Sequence, residues 1–279
     1  MAALKVQIQN VLKRAGIYQR LKASRAYELY WSLVNKSVAA WVQNEVGFYR
    51  ELLRGFQRGD LVFDVGANDG AKTSIFLRLG ARVVAVEPDR TNQSIMSEKF
   101  LKFRLAPQKV EIVGKALSDK DSTATMWIDQ PGSAKNTLSP KWVDTLKHDD
   151  ERFGCHHDFV QQVVVETTTL DSLIALHGLP FFIKIDVEGH EISVLQGLHT
   201  PVPYLSFEVN LPEFLSDARE CTEMLAKLDP QGKFNYVGDY EKGLCLSEWQ
   251  DYSMFSESLA KCGQKSIEVL WKTENHRTQ

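Results

Sequence analysis

Beyond Gly59 the chain alternates short β-branched runs with amphipathic stretches, and this alternation limits the fold more than any other feature. Residues 61–65, 82–86 and 109–113 read as strands, and residues 71–79 and 91–103 as the helices between them. Gly80 ends the first helix and Pro107 bars extension of the second. Strand–helix–strand units of this length build parallel sheets with right-handed crossovers. The expectation is an α/β, doubly wound Rossmann-like sheet of about seven strands. The alternation resumes with helix 170–176, strand 180–186, helix 190–198, strand 204–209 and helix 217–228. Segments 233–237, 243–246 and 266–271 are β-like and suit a final antiparallel pair. Between them, residues 119–168 read as a hairpin or loop insertion. Residues 123–128 and 160–168 are β-rich, Gln130-Pro131-Gly132 is a turn, and 133–158 is polar without a clear period. Loops of that length are usually functional.

The first 58 residues differ in kind. Leu4, Ile8, Val11 and Leu12, then Ala26, Tyr30, Leu33 and Val34 follow helical spacing, and Val46, Tyr49, Leu53 and Phe56 nearly do, with Gly16, Gly47, Gly55 and Gly59 as candidate breaks. This N-terminal helical extension holds ten Lys/Arg against three Asp/Glu, so a chain of net charge −3 carries −10 beyond it. A lid or dimer arm is the expected role, which makes a homo-oligomer a candidate assembly. The first stretch also suits peripheral contact with a membrane surface. The acidic body argues against nucleic acid as a partner. No run of 18 apolar residues exists, so no transmembrane segment is expected. Lys5, Gln7, Gln9 and Asn10 interrupt any secretory core, and the four cysteines form no CxxC pair. A cytoplasmic protein with reduced thiols is the expectation. The division is therefore an extension (1–58), a main domain (59–271) and a polar tail (272–279).

The sharpest motif is Phe63-Asp64-Val65-Gly66-Ala67-Asn68-Asp69-Gly70, between a strand and a helix. Gly66 and Gly70 permit a tight turn and close approach to a ligand. The turn carries Asp64 and Asp69 and no base, which would repel a pyrophosphate but not a cation. The next strand ends in Val86-Glu87-Pro88, where an acid can accept from two ribose hydroxyls. The GxGxxG and GxxxxGK[ST] patterns are absent. These features select S-adenosyl-L-methionine over NAD or ATP. Asp64, Gly66, Ala67, Asn68, Gly70, Glu87 and Pro88, together with Asp186, are the candidate cofactor residues. After the third strand, Ala116, Leu117 and Ser118 are placed to meet the adenine.

The second informative stretch is Lys184-Ile185-Asp186-Val187-Glu188-Gly189-His190-Glu191. A central parallel strand should be apolar on both faces, so Lys184 and Asp186 within one are costly unless paired or catalytic. Asp186 also falls at the strand's C-terminal end, where open α/β sheets bind ligands. Transfer of a methyl group from a sulfonium to an alcohol needs alignment and a positioned base. Asp186, Glu188 and His190 offer base and orienter, and Lys184 joins them as a candidate. Glu208 and Asn210 end the neighbouring strand and should emerge on the same rim. No complete metal-ligand set is visible. Cys155-His156-His157-Asp158 lacks a second half, and consecutive residues cannot easily all reach one ion.

The blocks FDVGANDG (63–70), VEPD (86–89), KALSD (115–119), TTLDSL (168–173), FIKIDVEGHEISVLQG (182–197) and FEVN (207–210) resemble, in order and spacing, the FkbM-type methyltransferase family. The resemblance covers about residues 60–210. It implies a class I methyltransferase fold using S-adenosyl-L-methionine, and O-methylation of hydroxyls on natural products, sugars or glycan-like acceptors. It carries Asp64, Gly66, Asn68 and Gly70 onto the cofactor loop and Glu87 onto the ribose acid. Asp186, Glu188 and His190 fall in its second block, which does not say which is the base. Asp69 departs from the apolar residue often found there. The competing readings are an RNA ribose methyltransferase, a non-catalytic binding protein on the same fold, and an NAD enzyme.

Overall fold

The computed structural model describes residues 36–101, 103, 109–148 and 157–274. The helical stripes placed at residues 4–34 lie outside them. The described elements are α1 (Lys36–Leu52), β1 (Leu61–Val65), α2 (Ala71–Leu79), β2 (Arg82–Val86), α3 (Arg90–Lys99), β3 (Val110–Val113), β4 (Ala116–Leu117), β5 (Ser122–Ile128), α4 (Pro140–His148), β6 (Gln161–Thr168), α5 (Leu170–His177), β7 (Phe182–Ile185), α6 (Glu191–Gln196), β8 (Tyr204–Asn210), α7 (Leu215–Leu228), β9 (Lys233–Val237), α8 (Tyr252–Ala260) and β10 (Ser266–Lys272). Seven strands form one sheet in the order β3-β2-β1-β7-β8-β10-β9. All its pairings are parallel except those of β10 with β8 and β9. The strand order reverses between β1 and β7, and a crevice at such a point is where open α/β sheets bind ligands.

Side-chain alternation divides the core. Phe63, Ile183, Leu205 and Phe207 face one way, against α5, α6, α7 and α8. Val62, Val83, Phe182 and Leu270 face the other, against α1 and α2. Helix α1 is thus part of the core packing: Tyr49 is fully buried, edge-on to Phe76 at 5.2 Å. Gly47, a candidate break, lies inside α1 and has open space around it, so its missing side chain leaves the helix intact.

The insertion is a second sheet, not a bare loop. Strand β6 pairs antiparallel with β5 and parallel with β4. Within the stretch read as aperiodic, α4 buries Trp142, Val143 and Leu146. Residues 243–246, read as β-like, form no strand; Asn235 Nδ2 donates to the Leu246 carbonyl and fixes them as a loop. No helix among the described residues is long and apolar enough to cross a membrane.

Candidate active site

The C-terminal ends of β1, β2, β7 and β8 open onto one cleft of about 250 Å³. Gly66, Asn68, Glu87, Pro88, Ala116 and Leu117 line one part of it. Asp186, Glu188, His190 and Glu208 line the other. The two strand tips separated in sequence therefore share one cavity. Parallel pairing enforces this, because Val65 sits in register with both Val86 and Ile185.

On the first side, the turn after β1 crosses directly against the end of β7. The N–H of Gly66 and of Ala67 both donate to the Val86 carbonyl at 3.0 Å. Asn68 sits at a φ of 50°, a left-handed conformation that Asn tolerates better than most residues. That conformation aims its N–H at Glu87 Oε2, 2.8 Å away. The N–H of Asp89 donates to Glu87 Oε1 at 2.7 Å. Both carboxylate oxygens are thus oriented by backbone, and each keeps a lone pair for a hydroxyl. Burial pushes the Glu87 carboxyl up to about 7, and the two N–H bonds oppose that rise.

Four expected cofactor residues do not line the cleft. Asp64 lies beneath the loop, accepting from Thr73 Oγ1 at 2.5 Å, in register with Lys184. Ala67 packs with Met96 and Phe100. Gly70 matters for packing: a Cβ there would meet the Phe100 ring at 2.4 Å. Ser118 turns aside, its Oγ 3.4 Å from His190 Nε2. Asp69 offers its main-chain carbonyl to Lys99 Nζ.

On the second side, Lys184 is buried in the sheet and pairs with Asp186, Nζ to Oδ2 2.7 Å. Burial opposes the Lys184 charge, but Asp186, Glu268, Glu208 and Asp64 surround the ammonium and raise its pKa. Burial likewise opposes ionisation of Asp186, and Lys184 overrides it, leaving the Asp186 pKa below the ordinary value. Glu208 shows the opposite result. The charge of Asp186, then burial, drive its carboxyl well above the carboxylate range, with a hydrogen bond between the two side chains. Ser266 Oγ also donates to Glu208 Oε1 at 2.9 Å. Lys184 thus favours the charged form of Asp186, and the Asp186 charge favours the neutral form of Glu208. Asn210, expected on this rim, lines a separate small hollow beside Phe214 and Cys221.

The loop after β7 is held from within. Glu191 Oε1 accepts from the N–H of Val187 and of Gly189, both at 3.2 Å. Glu188 takes a φ of 53°, pairs with Lys135 at 3.4 Å, and is pushed by burial up to about 8. His190 caps α6 without a side-chain cap bond; burial lowers its pKa, so the ring is neutral near pH 7.

Sequence reasoning missed other parts of the cleft. Lys115, Met126 and residues 133, 134, 136, 137 and 138 also line it. It also missed Glu268, which accepts from Tyr49 at 3.1 Å and Tyr240 at 2.5 Å and helps to hold Lys184 charged. Of the Cys-His-His-Asp run, His157 faces Asp129 at 3.0 Å, while Cys155 and His156 lie outside the described residues. Among the described residues, no three His, Cys, Asp or Glu side chains are grouped to hold a metal ion.

A crystal structure titled methyltransferase FkbM, from Methylobacillus flagellatus KT, superposes with a TM-score of 0.51 at 15% identity, over 82% of this chain and 47% of that one. This chain thus spans about half the length of that relative. A TehB-like SAM-dependent methyltransferase from Corynebacterium glutamicum gives 0.42 at 9% identity, over 90% of this chain and 100% of that one. A SAM-dependent O-methyltransferase from Thermotoga maritima gives 0.40 at 11% identity, over 84% and 66%. No curated protein matches in sequence. The fold is the Rossmann-like, seven-stranded sheet of class I methyltransferases. Residues 64–234 match the methyltransferase FkbM domain, and the chain belongs to that family.

Proposed function

We propose that this protein is an S-adenosyl-L-methionine-dependent O-methyltransferase acting on a hydroxyl of a small-molecule, sugar or glycan-like acceptor. One observation carries the reading: a backbone-oriented Glu87 and the His190–Asp186–Glu188 rim line the same cleft. The residues fit the donor. Glu87 offers two oriented oxygens for ribose hydroxyls, and Pro88, Ala116, Leu117 and Met126 give apolar surface for a purine. Carboxylates on both sides suit a cation and repel a pyrophosphate. When bound, the donor supplies a methyl group made electrophilic by its positive sulfur.

The chain's own groups do the rest. His190, neutral and half-buried in the cleft wall, can take the acceptor's proton on its imidazole ring. Asp119 lies close enough to favour the imidazolium that results. Asp186, kept ionised by Lys184, offers a fixed negative charge to the donor's cationic end. Glu188 presents its carboxyl group to a hydroxylated molecule. The acidic walls disfavour a phosphate backbone, which weighs against an RNA acceptor. The test is calorimetric titration with S-adenosylhomocysteine, then mass spectrometry of extracts given labelled methyl donor with and without protein. Micromolar binding and one methylated hydroxyl product are expected. No heat at millimolar ligand would end the proposal.

A further inference from the structure

Residues 129–139 include five that line the cleft, and the segment is tied down at both sides. On the donor side, Asp89 Oδ2 accepts from the Gly132 N–H and from Asn136 Nδ2, each at 2.8 Å. Its other oxygen, Oδ1, caps α3 by accepting from the Thr91 N–H at 2.7 Å. Gly132 sits so close to α3 that a Cβ would lie 3.2 Å from Asn92 Oδ1. On the acceptor side, Thr137 Oγ1 donates to the Glu188 carbonyl at 2.8 Å, and Lys135 pairs with the Glu188 carboxylate. Ser139 lies against Gly189, where an added Cβ would come 3.1 Å from its Oγ. Glu188 is left-handed without being glycine, a conformation that persists only when its surroundings hold it.

We infer that Asp89 is a positioning residue: by fastening this strap on the donor side, it holds Glu188 in place on the opposite side of the cleft. Among the described residues the strap joins Asp89 to residues 187–189 by a route separate from the turn that links Glu87, Asn68 and Gly66 to Asp186. The inference rests on the cleft being the active site, but its test does not.

Asp89→Asn is the informative variant. Asn still caps α3 through its oxygen. Its amide would face the two donors of the strap and could accept from neither. Hydrogen exchange of the ligand-free full chain reads the result. Asp89→Asn should speed exchange in 130–137 at least tenfold and at Val187 and Gly189 at least fivefold, leaving β9 and β10 unchanged. Thr137→Val should loosen Val187 and Gly189 while Gly132 stays protected. Adding Asn136→Asp to Asp89→Asn restores a donor–acceptor pair of reversed polarity, and should recover at least threefold of the lost protection at Val187 and Gly189. A strap that loosens while 187–189 keep wild-type protection overturns the inference, as does a double variant without recovery. If Asp89→Asn does not fold, Asn136→Ala and Thr137→Val apply the same criteria. Titration of wild type with S-adenosylhomocysteine runs beside this; its failure removes the proposed function and leaves the exchange result to stand.

Discussion

A Cβ built on Gly66 would lie 1.8 Å from the main-chain carbonyl oxygen of Asp186. The nucleotide-type turn and the acidic strand tip are thus in backbone contact. The Gly66 φ of 77° adds a second requirement for glycine. Gly66→Ala must push the β1 and β7 tips apart and strain the turn. The expected cost is about 3 kcal/mol of stability, near the upper range for one substitution. S-adenosylhomocysteine affinity should fall at least tenfold. Urea unfolding and calorimetry measure the two, and wild-type values for both would contradict the contact.

Lys184 gives a different kind of prediction. Its ammonium is enclosed by Asp186, Asp64, Glu208 and Glu268. Lys184→Met keeps the volume but leaves those acids facing one another. Removing one partner of a buried ion pair costs about 3–5 kcal/mol. Asp186 would then lose the charge that holds its pKa down. The midpoint of urea unfolding at pH 7 should drop accordingly, and part of the loss should return at lower pH as Asp64 and Glu208, both raised above the ordinary carboxylate value, take up protons. A loss independent of pH would point to packing alone.

How much of this was legible beforehand follows from which forces were local. The strand tips were readable because glycine turns and apolar runs report backbone geometry directly. Lys184 and Asp186 stood out because charge inside a central strand is costly. Helix α4 was not readable, since Trp142, Val143 and Leu146 are its only buried positions and polar residues fill the rest. The strap was hidden for the same reason: its fastenings are polar side chains whose partners, Asp89 and Glu188, are 43 to 53 residues away in sequence. Asp64 was expected among the cofactor residues; strand parity turns its side chain toward Lys184 and Thr73, beneath the loop. Ser118 likewise lies off the cleft lining, its Oγ near Asp119 and His190.

The acids of the cleft set the direction of pH dependence. Burial raises Glu87 and Glu191 to about 7 and Glu188 to about 8, from an ordinary 4.5. Between these values the folded chain binds more protons than the unfolded chain, so stability falls as pH rises. These contributions are complete below 4.5 and are lost through pH 7–8. His190, lowered from 6.5, acts oppositely, but only as pH falls through its folded value. Thermal midpoints should therefore decline steadily from pH 6 to 9. A cationic ligand favours the ionised acids, so S-adenosyl-L-methionine binding at pH 7 should release protons. Calorimetry in two buffers of different ionisation enthalpy detects that release, and proton uptake would reverse the assignment.

His190 carries the sharpest functional prediction. Its ring lines the cleft, is neutral near pH 7, and makes no cap bond to the α6 backbone. Replacing it by Ala should therefore cost little stability. A positioned base contributes about 10²–10⁴-fold to rate. His190→Ala should lower labelled-methyl transfer by that factor, with S-adenosylhomocysteine affinity within threefold of wild type. In wild type, kcat should fall on the acid side with an apparent pKa below 6.5, as burial of the ring requires, and the variant should lose that limb. Glu188→Gln separates the alternative, because a Glu188 base would place the limb near 8, where its carboxyl ionises. A limb near 8 that vanishes in Glu188→Gln and persists in His190→Ala would move the base to Glu188.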